Sequence, residues 1–139
     1  MAQLYNVTHD VKREKALQTA KKNPVTAEIQ NRAISIRQPY AEMIMRGIKT
    51  EEYRSVVTNI RGNVYVYASQ TPGHPDDFAD LDLKPGSLPV GVLVGTVEVV
   101  DCIGEPGDYE WLLENPQRLP EPIKPENHPQ PVWFRPFKK

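Results

Sequence analysis

Between residues 47 and 54 the chain reads Gly47-Ile48-Lys49-Thr50-Glu51-Glu52-Tyr53-Arg54, a glycine followed closely by charges of both signs. If the stretch after the glycine is a strand, Glu52 and Arg54 share a face, because side chains there repeat every two residues. Lys49 falls at the corner where the strand begins and is free to swing to either face. An ammonium, a carboxylate and a guanidinium gathered in this way suit two roles. One is an ion-pair lock in which Glu52 holds Arg54 or Lys49, worth about 0–1 kcal/mol at a surface. The other is recognition, since Lys and Arg neutralise phosphates and a carboxylate accepts from the amino group of cytosine or adenine.

Other chemistry finds no comparable constellation. His9, His74 and His128 are isolated, with no HxxxH, HxE or CxxC spacing around them. Asp76, Asp77, Asp80 and Asp82 lack the glycine and closing glutamate of a calcium loop and read as a solvated loop. No glycine-rich phosphate loop is present, so neither a metal nor a cofactor is expected. The single cysteine, Cys102, lies in a valine-rich run and reads as a buried, inert thiol.

Several elements must position the charged corner. Ala33-Ile34-Ser35-Ile36 reads as a short strand, and Pro39 to Arg46 as a helix with proline in its first turn. Tyr40, Met43, Ile44 and Ile48 are spaced as its apolar stripe, and Gly47 is its left-handed terminator. Strands are expected from about Glu51 to Val56 and from Asn63 to Ser69, where Val64, Val66 and Ala68 alternate with Tyr65, Tyr67 and Ser69. The run Val90 to Ile103 is apolar on both faces, with Gly91 and Gly95 where backbones pass closely. Such a strand bends around a closed or nearly closed barrel. Asp108 to Asn115 reads as a helical turn bearing Trp111, and Val132-Trp133-Phe134 as a last strand. The fold class is therefore α+β, a small mixed β-barrel with one main helix.

At 139 residues the chain suits one domain with a modest core. Residues 1–31 read as a polar arm with a short basic helix over Asp10–Lys22, and residues 32–139 as the domain. No stretch approaches the ~18 uninterrupted apolar residues of a membrane span, so no membrane partner is expected. The N-terminus has no apolar core of a signal peptide and one cysteine needs no oxidising compartment, which together point to the cytoplasm. Net charge is −1, but it is unevenly distributed. Residues 31–73 carry six basic and three acidic side chains, whereas residues 74–126 carry three basic and twelve acidic ones. That asymmetry can gather a positive field on one part of the molecule.

The charged corner matches the GxKxxExR signature of ASCH domains at Gly47, Lys49, Glu52 and Arg54. Ser35-Ile36-Arg37-Gln38-Pro39-Tyr40-Ala41 resembles the strand and helix that open the same family. With Val66-Tyr67-Ala68-Ser69, the Gly91 to Asp101 strand and Trp133, the resemblance covers roughly residues 32–136. It implies a PUA-like barrel that binds RNA, or nucleic acid more broadly, in a cleft beside the helix. Lys49 and Arg54 would then face phosphate or base edges, and Glu52 would orient one of them or accept from a base. Arg37, Gln38 and Tyr40 would line the rim and Ser69 the opposite wall, with a tyrosine available for stacking on an unpaired base.

The resemblance also opens an enzymatic alternative, since some short relatives are N4-acetylcytidine amidohydrolases and others are described as ribonucleases. In the amidohydrolases a threonine stands three residues after the motif lysine. Here that position is Glu52, a carboxylate that would salt-bridge Lys49, and Thr50 points elsewhere. A third class, a protein-interaction adaptor, fits the acidic, proline-rich second half. The expected reading is a module that recognises a single-stranded or modified nucleotide.

Overall fold

The computed structural model describes residues 28–139. The helix expected over Asp10–Lys22, and most of the arm that carries it, lie outside these residues. The first strand starts ahead of the Ala33–Ile36 stretch expected of it. β1 (Ile29–Ile36) already includes Asn31, whose Nδ2 donates to the Phe137 carbonyl at 2.7 Å while its Oδ1 accepts from the Phe137 N–H at 3.0 Å.

Six strands form one mixed sheet in the order β2-β5-β4-β3-β1-β6. They are β1, β2 (Glu51–Arg54), β3 (Gly62–Ala68), β4 (Val92–Glu105), β5 (Asp108–Ile123) and β6 (Trp133–Phe134). Only β1 and β3 run parallel, and the crossover that a parallel pair requires is made by α1 (Tyr40–Met45) and β2. In β3 the expected alternation holds: Val64, Val66 and Ala68 are all fully buried beside Ile34 and Ile36 of β1.

The expected barrel does not close. β2 and β6 are the two edges, with no backbone ladder between them. β6 is only two residues long and lies between Pro131 and Pro136, which have no N–H to extend a ladder. Side chains span the seam instead, because the sheet is strongly curled. Trp111 of β5 stacks on Trp133 of β6, centroids 5.6 Å apart and planes within 10°, and Arg54 Nη2 of β2 donates to the Ser35 carbonyl of β1 at 3.0 Å.

Two further expectations are corrected. Asp108 to Asn115 is not a helical turn but the first half of β5, paired with β4 on one side and β2 on the other. Trp111, Leu112 and Leu113 are consecutive and all buried, which a strand covered on both faces accommodates: Trp111 and Leu113 join the main core, and Leu112 packs with Ile103 on the other face. The aspartate-rich segment is not all loop either. His74 Nδ1 accepts from the Asp76 N–H at 3.1 Å and caps α2 (Pro75–Ala79), which is anchored by the buried ring of Phe78.

α1 has little more than one turn, and its buried face is Ala41, Ile44 and Met45 rather than the full expected stripe. Ile48 lies past the terminator Gly47 (φ 77°) and is 62% exposed. The helix docks where β4 lacks a side chain. A Cβ on Gly95 would overlap Met45 Sδ and the Gln117 carbonyl oxygen, so only glycine lets α1 and β5 approach there. Cys102 is half-buried against the core.

Candidate functional site

The end of β1, the start of α1 and the short strand β2 converge on one end of the seam. The parallel β1–β3 pair ends at Ile36 and Ala68, and the Ser69 N–H still donates to the Ile36 carbonyl at 2.9 Å. Arg37 and Ser69 therefore leave the sheet side by side. β2 runs along β5 on the other side, its register setting Glu52 opposite Trp111 and Arg54 opposite Tyr109. The alternation expected for Glu52 and Arg54 then turns both toward the seam.

Between them opens a concavity of about 480 Å3. Ser35, Arg37 and Tyr40 line it together with the adjoining Ser69 and Thr71, Glu52 and Arg54 form its floor, and Pro131 and Val132 complete the lining. The floor is a fixed ion-pair chain. Arg54 Nε and Nη2 both reach Glu52 Oε2 at 2.7 Å, while Lys49 Nζ lies 3.3 Å from Glu52 Oε1. Arg54 also lies over the Trp111 ring, 5.6 Å from its centroid. Nε and Nη2 are thus committed, and Nη1 has no bond among the described residues.

Arg37 differs. Its guanidinium is exposed and makes no hydrogen bond or ion pair among the described residues. Tyr40 beside it is held in place by its hydroxyl, which donates to the Asp77 carboxylate of α2. That bond, reinforced by burial, raises the Tyr40 hydroxyl above its ordinary range, so it stays a neutral donor.

Five of the residues singled out in the sequence, Arg37, Tyr40, Glu52, Arg54 and Ser69, meet in this concavity. Two stand behind it. Gln38 is 1% exposed and spends its amide inside the fold, Nε2 donating to the Pro89 carbonyl and Oε1 accepting from the Glu42 N–H, both at 3.0 Å. Lys49 lies on the far side of Glu52, its Nζ 5.4 Å from the centroid of the Tyr53 ring. The Tyr53 hydroxyl is pushed up to about 12 by partial burial and by the Glu51 and Glu110 carboxylates. Thr50 turns away from Lys49, as expected, and its hydroxyl donates to Glu51 Oε2 at 2.7 Å.

Sequence reasoning missed four lining residues, Ser35 of β1 among them, and one support. Thr71, Pro131 and Val132 lie in connections without periodicity, where no pattern announces which way a side chain faces. The support is Glu42, only 8% exposed on α1, which accepts from Arg118 Nη1 and Nη2 at 2.8 and 3.0 Å and from Arg46 Nε at 2.8 Å. Burial alone would raise its carboxyl, but the hydrogen bonds from Arg118 and Arg46 outweigh burial and hold it below the ordinary carboxylate range. This bidentate pair ties the helix at the site to β5.

Residues 34–129 match the ASCH domain family. The human protein Activating signal cointegrator 1 is 30% identical over 125 residues, spanning 72% of this chain, and its mouse counterpart is 24% identical over the same share. The chain spans only 21% of the length of these curated relatives. Among solved structures, an ASCH protein from Zymomonas mobilis superposes with a TM-score of 0.54 at 15% identity, covering 75% of this chain and 85% of that one. A point variant of the same bacterial protein gives a TM-score of 0.54 at 14% identity over 75% and 88%. At that identity the likeness speaks for the fold.

Proposed function

The chain belongs to the ASCH domain family, and from that premise we propose that the concavity at the seam binds a single-stranded or modified nucleotide, with RNA the preferred nucleic acid. The observation that carries this reading is Arg37: an exposed guanidinium with no hydrogen bond or ion pair among the described residues, at the rim of a concavity whose Glu52–Arg54 floor is already fixed. A planar fork of that kind suits a phosphate, bidentately. The Glu52–Arg54 floor supplies an oriented carboxylate and one uncommitted guanidinium nitrogen for a base edge. Ser35, Ser69 and Thr71 add hydroxyl or backbone groups suited to a sugar or phosphate oxygen. The volume of about 480 Å3 is that of a small-ligand site. On the same family ground we read the curled sheet as PUA-like.

Hydrolysis is the weaker reading. Where the amidohydrolases carry threonine, Glu52 is engaged by both Lys49 and Arg54, and the neighbouring hydroxyl of Thr50 is engaged by Glu51. A nucleophile would have to come from outside the motif.

Fluorescence anisotropy with short single-stranded RNA and DNA at two salt concentrations tests the proposal. Binding is expected at micromolar or weaker affinity, falling with salt at a log–log slope of about −0.7 per neutralised phosphate. Arg37→Ala is expected to weaken it. Failure of every oligonucleotide to bind at low salt would reject the proposal in favour of a protein partner.

A further inference from the structure

A second, larger hollow of about 620 Å3 adjoins the concavity and shares Ser35, Ser69, Thr71 and Pro131 with it. Its outer wall is the proline-rich segment 124–131. That segment is held on the fold at several points: Ser35 Oγ donates to the Gln130 carbonyl at 2.6 Å, and the Glu126 and Asn127 N–H groups donate to the Pro136 carbonyl at 2.8 and 3.1 Å. Pinned in this way, the segment makes a standing wall.

The character of the lining changes from one hollow to the other. The first is charged. The second presents the amides of Gln70 and Gln130 and the imidazole of His128, none of which makes a side-chain hydrogen bond among the described residues. It also holds one cation, Lys124, which is exposed and has no ion pair among the described residues. The acidic residue on that wall, Glu126, has its Oε1 occupied by the Lys138 N–H at 2.9 Å.

Two unspent cations, Arg37 in one hollow and Lys124 in the other, thus flank a bridge of small polar residues, with amides and an imidazole facing the space beyond it. A free nucleoside would use neither cation, and a single phosphate would use one. A phosphodiester chain would use both, laying its sugars along Ser35, Ser69 and Thr71 and offering a second base to Gln70 and Gln130. We propose that the two hollows form one continuous groove for a single-stranded oligonucleotide of at least two nucleotides, with Lys124 as its second phosphate contact and the 70/128/130 side chains as a base-reading subsite. The inference rests on the nucleotide-binding reading of the first hollow and extends it to the class and length of ligand.

The test compares a labelled random-sequence RNA hexamer with an equimolar mixture of the four ribonucleoside 5′-monophosphates as competitor, using wild type, Arg37→Ala and Lys124→Ala. Lys124 has no side-chain hydrogen bond or ion pair among the described residues, and thermal melting checks that its removal leaves the fold intact. Lys124→Ala is expected to weaken the hexamer several-fold and to reduce the steepness of its salt dependence by about 0.7, while leaving the affinity for mononucleotides unchanged. Arg37→Ala is expected to weaken both ligands. If Lys124→Ala leaves hexamer affinity and salt slope unchanged while Arg37→Ala weakens them, the extended groove is wrong and the first hollow stands. Mononucleotides that compete as strongly as the hexamer itself would overturn it in the same way. No binding of either ligand by wild type at low salt would overturn both readings.

Discussion

Arg54→Lys separates holding the seam from holding a ligand. The substitution keeps the positive charge and loses the planar fork. In the native protein Nε and Nη2 grip Glu52 Oε2, both at 2.7 Å, while Nη2 also reaches the Ser35 carbonyl at 3.0 Å across the open edge of the sheet. An ammonium can keep one contact to Glu52 but cannot span to Ser35 at the same time. The loss is then one charge-assisted bond and one bond to a backbone carbonyl. Hydrogen bonds to charged groups contribute about 1.5–3 kcal/mol each when shielded from water. Arg54 is 21% and Glu52 12% exposed, so partial solvation of the vacated sites lowers the combined cost to about 2 kcal/mol. For a domain of this size that corresponds to a melting temperature lower by about 8 °C. Circular dichroism melts give the first number and RNA titration at a temperature where both proteins are folded gives the second. The expected pattern is the full thermal loss with an affinity that falls only by about threefold, because Arg37, the proposed phosphate contact, is untouched and only the base-edge contact of Arg54 Nη1 is lost. An unchanged melting temperature would refute the reasoning, since Arg54 would then not hold the seam. A loss of affinity beyond tenfold without thermal change would make it a ligand contact instead.

Glu42→Gln is expected to lower stability at pH 7, because it removes the carboxylate between Arg118 and Arg46. With its carboxyl depressed in the folded state, the contribution is complete above about pH 4.5 and is lost as pH falls through the lower folded value, so wild type and variant should converge in acid urea titrations. Gly95→Ala is expected to cost about 1–3 kcal/mol by forcing Met45 and the Gln117 carbonyl apart, measurable by chemical denaturation. Wild-type protein is expected to leave N4-acetylcytidine intact in a chromatographic assay, and substantial turnover that disappears in Lys49→Ala would make it an enzyme.

The corner of Gly47, Lys49, Glu52 and Arg54 was legible because its information is local: a terminator, a period of two and the charges themselves. The same holds for β3, whose alternation puts Val64, Val66 and Ala68 in the main core and Tyr65 and Tyr67 in a second cluster on the other face. β5 was obscured by Pro116, Pro120 and Pro122, which argue against a strand. They are tolerated because β2 is only four residues long and the backbone bonding beside it ends at Leu113, leaving the rest of β5 with one unpaired edge where a missing N–H costs nothing. No local pattern signals a neighbour of that length. The Glu42–Arg118 pair joins residues 76 apart in sequence, and Tyr40 meets Asp77 across 37, so neither leaves a periodic trace. For the same reason Gln38 read as a rim residue: its type suits a ligand, and only the fold reveals that Pro89 and the Glu42 N–H have already taken its amide.

The reciprocal bond between Asn31 and Phe137 has an architectural consequence. It clasps positions 106 residues apart, so the backbone enters the sheet and leaves it at one spot. A unit whose entrance and exit adjoin can be spliced into a surface loop of another protein without stretching the host or disturbing its own groove.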